Sequence, residues 1–540
     1  MLRINKTKLR KKLLFVFFIV ILCFTLSTVY GANDTSNMKY TITSDLSDND
    51  IQNMLNNALD GDTFNFIDSQ YDDISLVVDK RVNIISNANS QIYTSNIVNS
   101  KDHSLDIAES FGFYFTPNSA GSILSGFKII SNSDYSIITV GSNNTKITDC
   151  SISGGNKGGI LVKDSSDFYL NNNIIKNTKG NGLYILNSEE GTIYKNTIYN
   201  NLKSGILLAD VNKINIDNNS IYKNSFNGIS LYNNTSKLNI THNNIYQNLN
   251  GIYINSRSES DVIRANTIWD NRIDPSSELG ASETGNGVLI GPDYSKNRLQ
   301  PNIYYNSIYN NEQFGVKNNP SFATMTIGAN WYATNNPHQS FVCPMILGRI
   351  LEAKISLTSK GFEVKFFDGD SQVTDFGNPN VKFEVDGKEH TGTFRKGVAS
   401  IEGYINSAED HVVKVTFDTG ESISQAFKAK NNQNQNPQNQ NQSDSSSEDT
   451  VKSESLSKNN IDSPILGSNS TNSVIKDISD VGDNKDSKGQ GNSAKPSNAF
   501  EVTVNKIAKT VSENSAVIIV AFIVLILLFA LGYKHKNNFD

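Results

Sequence analysis

Residues 192–252 read TIYKNTIYNNLKSGILLADVNKINIDNNSIYKNSFNGISLYNNTSKLNITHNNIYQNLNGI, and one pattern recurs along this stretch. A glycine followed by an aliphatic residue appears every 23 residues, at Gly159, Gly182, Gly205, Gly228 and Gly251. The pattern Asn-x-Ile-x-x-Asn runs in step with it: Asn172, Ile174, Asn177; Asn196, Ile198, Asn201; Asn219, Ile221, Asn224; Asn243, Ile245, Asn248; Asn266, Ile268, Asn271; Asn306, Ile308, Asn311. A fixed period of this length indicates a solenoid.

Within each period, apolar and polar residues alternate, as in Ile214-Asn215-Ile216. Alternation with a period of two is the spacing of a β-strand. Each apolar patch is too short to form a sheet alone, so it must pair with its equivalent in the next period. We therefore predict an all-β protein whose residues 81–340 form a right-handed parallel β-helix, with three parallel sheets around a column of Ile and Leu.

The recurring asparagines are expected at the corners of this helix. Asn tolerates the left-handed backbone of a sharp corner, and stacked Asn amides can hydrogen-bond from turn to turn. We interpret them as structural residues. Cys150 occupies the asparagine position of an earlier turn, before Ile152, and we predict a small buried substitute there and not a nucleophile.

The N-terminal residues resemble a secretory signal. Basic residues between Arg3 and Lys12 precede the apolar run Leu13–Leu26, which predicts a signal peptide over residues 1–31; an uncleaved anchor is the alternative. In the N-terminal region, residues 32–80, four apolar residues have helical spacing and predict a helix that caps the rod: Ile51, Leu55, Ala58 and Leu59.

The C-terminal part changes character three times. Short alternating patches such as Val381–Val385 predict a small Ig-like antiparallel β-sandwich over residues 345–430. Residues 431–512 are rich in Asn, Gln and Ser and predict a disordered linker. The apolar residues 515–533 predict a transmembrane helix, and the basic residues after it place the tail, residues 534–540, in the cytoplasm. We therefore expect a single-pass cell-membrane protein with an extracellular ectodomain.

Charge and cysteine content exclude several classes of function. The formal net charge is −6, and removal of the six basic residues of the signal segment makes it −12, which disfavours binding to nucleic acid. Only Cys150 and Cys343 remain after processing, so no disulfide framework is expected. The histidines lack metal-ligand spacing, and we expect neither a metal nor another cofactor.

The repeats, the stretch Gly61-Asp62-Thr63-Phe64 and the closing residues 330–337 together resemble the archaeal adhesin-like surface proteins that carry right-handed parallel β-helix repeats, in the pectate-lyase-like superfamily. The resemblance covers about residues 45–430. Similar repeats occur in a periplasmic copper-maturation family, whose members are not usually tail-anchored. The resemblance implies the β-helix fold and a cell-surface protein, with Trp331 and Tyr332 plugging the C-terminal end of the rod.

Aromatic residues directly follow most of the repeat isoleucines, in the series Ile175, Tyr199, Tyr222, Tyr246, Trp269 and Tyr309. If the isoleucines point inward, these side chains point outward and stand in line. The rings could simply brace one another between turns, or they could form a platform for sugar rings or for a partner's apolar surface. We predict that glycans or the surface of a partner cell bind here, through Tyr199, Tyr222, Tyr246 and Trp269.

An insertion breaks the 23-residue period after Ile268 and carries the acidic residues Asp270, Asp274, Glu278 and Glu283. Polysaccharide lyases and hydrolases require carboxylates as calcium ligands or as acid–base groups. The alternative function is therefore a polysaccharide-active enzyme, a lyase or hydrolase of the pectate-lyase-like superfamily. No catalytic motif matches and charged loops are usually only solvated, so non-catalytic adhesion is the expectation.

Asn-x-Ser/Thr sequons on the expected exterior make surface glycosylation plausible. They begin at Asn33, Asn143, Asn218, Asn233, Asn234, Asn239, Asn441 and Asn469.

Overall fold

A computed structural model describes residues 37–94, 109–291, 301–318, 325–337, 346–403 and 409–429. The predicted signal peptide, linker, transmembrane helix and tail lie outside these ranges, as does Cys343. Within the described ranges, no helix has both the length and the apolar character needed to cross a bilayer.

Three parallel sheets of 11, 10 and 10 strands form a rod in which each strand pairs with its equivalent in the next turn, as the repeat predicts. Sheet 1 contains Lys39–Ile42, Thr63–Phe66, Asn83–Ser86, Ile123–Ser125, Lys146–Thr148, Tyr169–Asn171, Thr192–Tyr194, Asn215–Asp217, Asn239–Thr241, Val262–Arg264 and Asn302–Tyr304. Sheet 2 contains Gln70–Ile74, Gln91–Thr94, Lys128–Ser131, Ser151–Gly154, Ile174–Lys176, Thr197–Tyr199, Ser220–Tyr222, Asn244–Tyr246, Thr267–Trp269 and Ser307–Tyr309. Sheet 3 contains Leu76–Val78, Phe111–Phe115, Tyr135–Val140, Gly158–Lys163, Asn181–Leu186, Ile206–Asn212, Ile229–Ser236, Ile252–Glu259, Val288–Ile290 and Val316–Asn318.

The N-terminal end of the rod is covered by helix α1, Asp48–Asn56. Ser47 caps it in a reciprocal pair with Asp50, and Ile51 and Leu55 are buried in the rod core. Leu59, which the sequence grouped with this helix, lies beyond its end and is 63% exposed. The first parallel strands already begin at Lys39, before α1.

The inward side chains form one continuous aliphatic column. In successive turns, Ile198, Ile221, Ile245 and Ile268 pair in register, and all four are fully buried. Burial of each such side chain contributes about 1.5–3 kcal/mol relative to exposure.

In one turn, the sequence pattern selects the wrong residues. The structure pairs Ile175 with Ile198 and Ile174 with Thr197, so Ile175 points inward and Ile174 is 41% exposed. The run of asparagines at residues 171–173 allowed two phases, and pairing with the next turn selects the later one. The outward counterpart of Tyr199 is therefore Lys176, and Ile175 does not belong to the aromatic row.

Two ladders of buried asparagines follow the corners on either side of sheet 2. The first comprises Asn173, Asn196, Asn219, Asn243, Asn266, Asn306 and Asn330. The second comprises Asn201, Asn224, Asn248, Asn271 and Asn311. The left-handed backbone expected of these asparagines lies one residue earlier instead, as at Lys195, His242 and Ala265. The ladder positions need the amide group, whereas the strained corner accepts several residue types.

Cys150 ends the first ladder. Its backbone N–H donates to Asn173 Oδ1 at 3.0 Å, and burial raises the pKa of its thiol to about 12. Cys150 is fully buried, which confirms the prediction of a small buried residue at this position.

The recurring glycines are required by close packing. A Cβ on Gly228 would lie 2.7 Å from the carbonyl oxygen of Gly251 and 2.6 Å from Cγ2 of Ile245. The neighbouring turns approach so closely there that no side chain fits.

Antiparallel sheets follow the rod, after a two-stranded parallel sheet formed by Met325–Asn330 and Ile346–Ile350. One sheet contains Glu352–Leu357, Gly361–Asp368, Ser371–Val373, Thr393–Arg395 and Val398–Glu402. The other contains Val381–Val385, Lys388–Thr391, His411–Phe417 and Ser422–Phe427. We call these two sheets the antiparallel domain.

The antiparallel domain packs on the last turns of the rod. Trp331 is fully buried, with its ring 4.9 Å from the rings of both Phe366 and Phe417. Tyr332 instead packs in the rod core, where it closes the aliphatic column. The two residues expected to plug the rod therefore face different cores.

Candidate binding face

Outward-pointing aromatic rings form a stack along sheet 2, and the structure brings together all four predicted binding residues. Ring centroids are 5.0 Å apart for Tyr199 and Tyr222, 4.8 Å for Tyr222 and Tyr246, and 4.7 Å for Tyr246 and Trp269. The rings are nearly parallel, with interplanar angles of 1°, 5° and 13°. We call these four residues the aromatic row.

Stacking covers the ring faces on which a bound sugar ring would have to lie. Both faces of Tyr222 are covered, one by Tyr199 and one by Tyr246. The outer face of Tyr199 is approached by Lys176, whose Nζ lies 5.8 Å from the ring centroid. A ligand would therefore meet ring edges and hydroxyl groups, and sugar rings cannot stack on the row as a platform of open faces.

A second outward row of short polar side chains lies beside the aromatic row on the same strands. In four successive turns it contains Thr197, Ser220, Asn244 and Thr267. The indole N–H of Trp269 donates to Asn244 Oδ1 at 3.0 Å, which ties the two rows together. Hydroxyl and amide groups thus repeat once per turn next to the tyrosine edges.

The hydroxyls of Tyr222 and Tyr246 are protonated at neutral pH. Burial raises the pKa of Tyr222, and the neighbouring Tyr246 and Tyr199 raise it further. Burial also raises the pKa of Tyr246, although a hydrogen bond with Ser220 opposes it. Each protonated hydroxyl can donate one hydrogen bond and accept others.

The antiparallel domain covers the C-terminal end of the stack. Tyr309, the next ring after Trp269, has its centroid 6.1 Å away and is only 3% exposed. It packs in the same core as Phe366 and Phe417. The accessible part of the row therefore runs from Tyr199 to Trp269.

The acidic residues of the insertion are engaged in separate local contacts. Asp270 accepts from Gln247 and from Arg272, at 2.8 and 3.2 Å. Asp274 accepts from the backbone and hydroxyl of Ser276, and these bonds lower the pKa of its carboxyl.

The other two acids are also apart from any shared centre. Burial raises the pKa of Glu283, although Lys317, with Nζ 3.5 Å from Oε1, opposes the shift. Glu278 is exposed. Throughout the described ranges, no group of three or more His, Cys, Asp or Glu side chains could hold a metal ion.

The sequence reasoning missed a polar groove at the corner between sheets 3 and 1. Its cavity measures about 440 Å³, and its lining includes Asp164, Asn187, Glu189 and Asp210. Asn187 Nδ2 donates to Asp164 Oδ1 at 2.5 Å, so successive turns are linked across the groove. The sequence does contain a pattern that marks this groove, because Asp or Asn recurs every 23 residues at Asp164, Asn187, Asp210 and Asn233. In the structure all four residues have positive φ.

Three solved structures are similar to this chain at low identity. Tailspike protein 2 of bacteriophage CBA120 has a TM-score of 0.42 and 9% identity, over 70% of this chain and 73% of its own. The mannuronan C-5 epimerase AlgE4 A-module of Azotobacter vinelandii has a TM-score of 0.34 and 14% identity, over 54% and 87%. Pectate lyase Pel9A has a TM-score of 0.34 and 11% identity, over 58% and 77%. TM-scores this low say nothing about the activity of the present chain.

Comparison at the sequence level identifies the family. No curated protein matches the chain. The family model described as right-handed β-helix region matches residues 33–191 and 181–343, which together span more than half of the chain. The protein therefore belongs to the right-handed β-helix family.

Proposed function

We propose that this protein is a non-catalytic, adhesin-like surface protein that binds glycans through the outer face of sheet 2. The observation that carries the proposal is the alignment of two outward rows, one of aromatic edges and one of hydroxyl and amide groups, in register over four turns. A surface of this kind offers many shallow contacts and no deep pocket.

The glycan would bind mainly through hydrogen bonds to the hydroxyl and amide groups. The edges of the aromatic rings would form an apolar border beside them. The hydroxyls of Tyr199, Tyr222 and Tyr246 recur once per turn, about 4.8 Å apart. An extended polysaccharide that lies along the rod would place one hexose unit against each turn. Individually weak contacts of this kind add through repetition along one ligand.

The charge of the chain favours neutral glycans over acidic ones. The formal net charge is −6, and it includes the carboxylates of Asp164, Glu189 and Asp210 in the groove between sheets 3 and 1. A uronate polymer would be repelled by this field, whereas a neutral polysaccharide would not. Neutral hexose polymers are therefore the expected ligand class.

We also propose that the protein acts at the cell surface, where the apolar segment 515–533 would hold it in the membrane. The support is the sequence pattern at the two ends of the chain. The resemblance to archaeal adhesin-like surface proteins points the same way. The enzyme alternative draws less support, because Asp270, Asp274 and Glu283 each contact a different partner and Glu278 is exposed.

A conservative substitution tests the hydroxyl row without removing the stack. In the triple variant Tyr199→Phe, Tyr222→Phe and Tyr246→Phe, the rings remain and three hydroxyls are lost. Loss of three hydrogen bonds should weaken binding on a neutral-glycan array by roughly tenfold or more, with an unchanged melting temperature.

Two controls separate this idea from its rivals. Tyr169→Phe with Tyr194→Phe makes the same change on the outer face of sheet 1 and should leave glycan binding intact. Asp274→Ala with Glu278→Ala alters the insertion and should also have little effect. If the acidic variant abolishes cleavage of a polysaccharide while the triple Phe variant behaves as the parent, the protein is an enzyme and the proposal is wrong.

A further inference from the structure

A loop of the antiparallel domain, residues 374–378, lies directly on the rod. We call it the docking loop. The backbone N–H of Gly377 donates to the carbonyl of Tyr305 at 3.0 Å, and that of Asn378 donates to Thr267 Oγ1 at 2.8 Å. A Cβ on Gly377 would lie 2.2 Å from the carbonyl oxygen of Asn266, so the loop and the rod are in very close contact.

His242 lies between a carboxylate of the rod and a carboxylate of this loop. Its Nδ1 is 2.8 Å from Asp217 Oδ1, and its Nε2 is 2.8 Å from Asp375 Oδ1. The second oxygen of Asp375 is 2.5 Å from Nη2 of Arg264, which belongs to sheet 1. These four side chains connect two parts of the molecule that lie far apart in sequence.

Both contacts of His242 require a doubly protonated ring. An ionised carboxylate only accepts hydrogen bonds, and a neutral imidazole carries one N–H and one acceptor nitrogen. If His242 loses a proton, one of its nitrogens presents a lone pair to a carboxylate 2.8 Å away. Deprotonation therefore replaces one attraction with a repulsion.

The charges at this junction balance only in the cationic form. Asp217 and Asp375 supply two negative charges, and Arg264 supplies one positive charge. The imidazolium of His242 makes the group neutral, and its loss leaves a net negative charge between rod and loop.

We propose that His242 is a protonation-dependent clamp, which holds the docking loop on sheet 2 when the ring is charged and releases the loop when the ring is neutral. The inference does not rest on the proposed glycan binding. It lies next to Trp269, since Asn378 is bonded to Thr267 on the same strand. Clamp closure would therefore define where the exposed part of the aromatic row ends.

Release loosens the bonds that Asp375, Gly377 and Asn378 make with the rod, whereas Phe376 stays in the core of the antiparallel domain. Phe376, within the loop, packs against Phe366 at a centroid distance of 4.6 Å, and Trp331 anchors the domain to the rod. The side chains of His242 and Asp375 are 39% and 47% exposed, so solvent weakens their interaction. The rest of the antiparallel domain therefore stays docked when the clamp opens.

The pH range of the clamp follows from the directions of the pKa shifts. Partial burial lowers the pKa of His242, but the bonds to Asp217 and Asp375 outweigh burial and raise it above its ordinary value. The contribution of His242 is thus complete below about pH 6.5 and is lost as pH rises through the raised pKa. Burial raises the pKa of Asp375, but His242 and Arg264 outweigh burial and lower it, so that contribution is lost only in strong acid.

Hydrogen exchange of the full-length protein tests the clamp, read by mass spectrometry on peptides that contain the amides of Gly377 and Asn378. Protection factors, corrected for intrinsic exchange, should fall by roughly three- to tenfold as pH rises from about 5 to about 9. His242→Asn should show low protection at every pH, and Asn is suitable there because it tolerates the positive φ of 53°. Asp375→Asn should likewise remove the pH response.

A matched control uses a histidine–aspartate pair within the antiparallel domain. His411 Nδ1 lies 2.7 Å from Asp386 Oδ2, so His411→Asn removes a comparable pair elsewhere. This variant should keep the wild-type pH response of the docking loop. A flat profile in the wild-type protein, or an unchanged response in His242→Asn, would overturn the proposal.

Discussion

Each asparagine of the first ladder is bound on several sides at once. Asn243 Oδ1 accepts from the backbone N–H and from the side-chain amide of Asn219, both at 2.9 Å. Its Nδ2 donates to the carbonyl of Ile216 at 2.8 Å. The amide therefore satisfies buried groups of the preceding turn, in a strand and in the corner after it, which no apolar residue of similar size can do.

Asn243→Ala should accordingly be severe. The change removes the acceptor of the Asn219 backbone N–H and a donor to the carbonyl of Ile216, whereas the Asn219 side chain keeps its bonds to Ile193 and Asp217. We expect a cost of about 2–6 kcal/mol of unfolding free energy. Urea titration followed by circular dichroism measures the loss. Asn239→Ala is the matched control, since Asn239 lies in the same turn but is exposed, and it should be nearly neutral. If the two changes lower the free energy of unfolding equally, the asparagine ladder is not a special source of stability.

At the scale of single residues, the sequence predicted which residue types occupy the corners better than it predicted which position in each turn they occupy. It identified Asn as the recurring corner residue, because its short amide side chain can both donate and accept in the turn-to-turn direction. It did not identify the left-handed residue before each ladder position, since Lys195, His242 and Ala265 share no chemical signature. Nor did it resolve the phase at residues 171–173, where three consecutive asparagines fit two registers.

At the scale of the strand and sheet, the period of 23 residues predicted the parallel pairing and the outward line of rings. It could not predict that the rings would stack face to face. That outcome depends on the spacing of adjacent strands, which is close to the separation of stacked aromatic rings. Because the rings stack between turns, the expected platform of open ring faces is instead a row of ring edges. Tyr222 therefore offers a ligand its edge and hydroxyl group and not its faces.

Because each turn contacts only its neighbours, removal of one complete turn should be tolerated. Deletion of Thr197–Asn219 removes 219 − 197 + 1 = 23 residues and joins Asn196 to Ser220, which restores the ladder and the strand register. The shortened rod should fold with the same β-sheet spectrum and a lower melting temperature. Deletion of residues 197–218 is one residue shorter and shifts the following strand by one position, which exchanges its buried and exposed faces. If the second protein folds as well as the first, strand register does not govern this fold.

At the scale of the whole molecule, the contacts between rod and antiparallel domain were the part least accessible from sequence. His242 and Asp375 are separated by 133 residues, and nothing in the repeat marks either of them. The equivalent of His242 one turn earlier is Asn218, so the imidazole that meets the docking loop is not part of the repeat. Contacts of this kind depend on the shape of both partners, which periodicity does not describe.

The arrangement of the whole chain predicts how it responds to protease on intact cells. If residues 32–514 are outside the membrane, trypsin should cut the lysine-containing linker, residues 431–512, first. The rod should resist, because its strands are hydrogen-bonded on both sides and its core is continuous. A large fragment that ends beyond the antiparallel domain should appear in the supernatant of unbroken cells, and peptide mapping would locate its end. The matched control is the same digestion after lysis, which should yield the same fragment. Release only after lysis would place these residues inside the cell and would contradict the surface location.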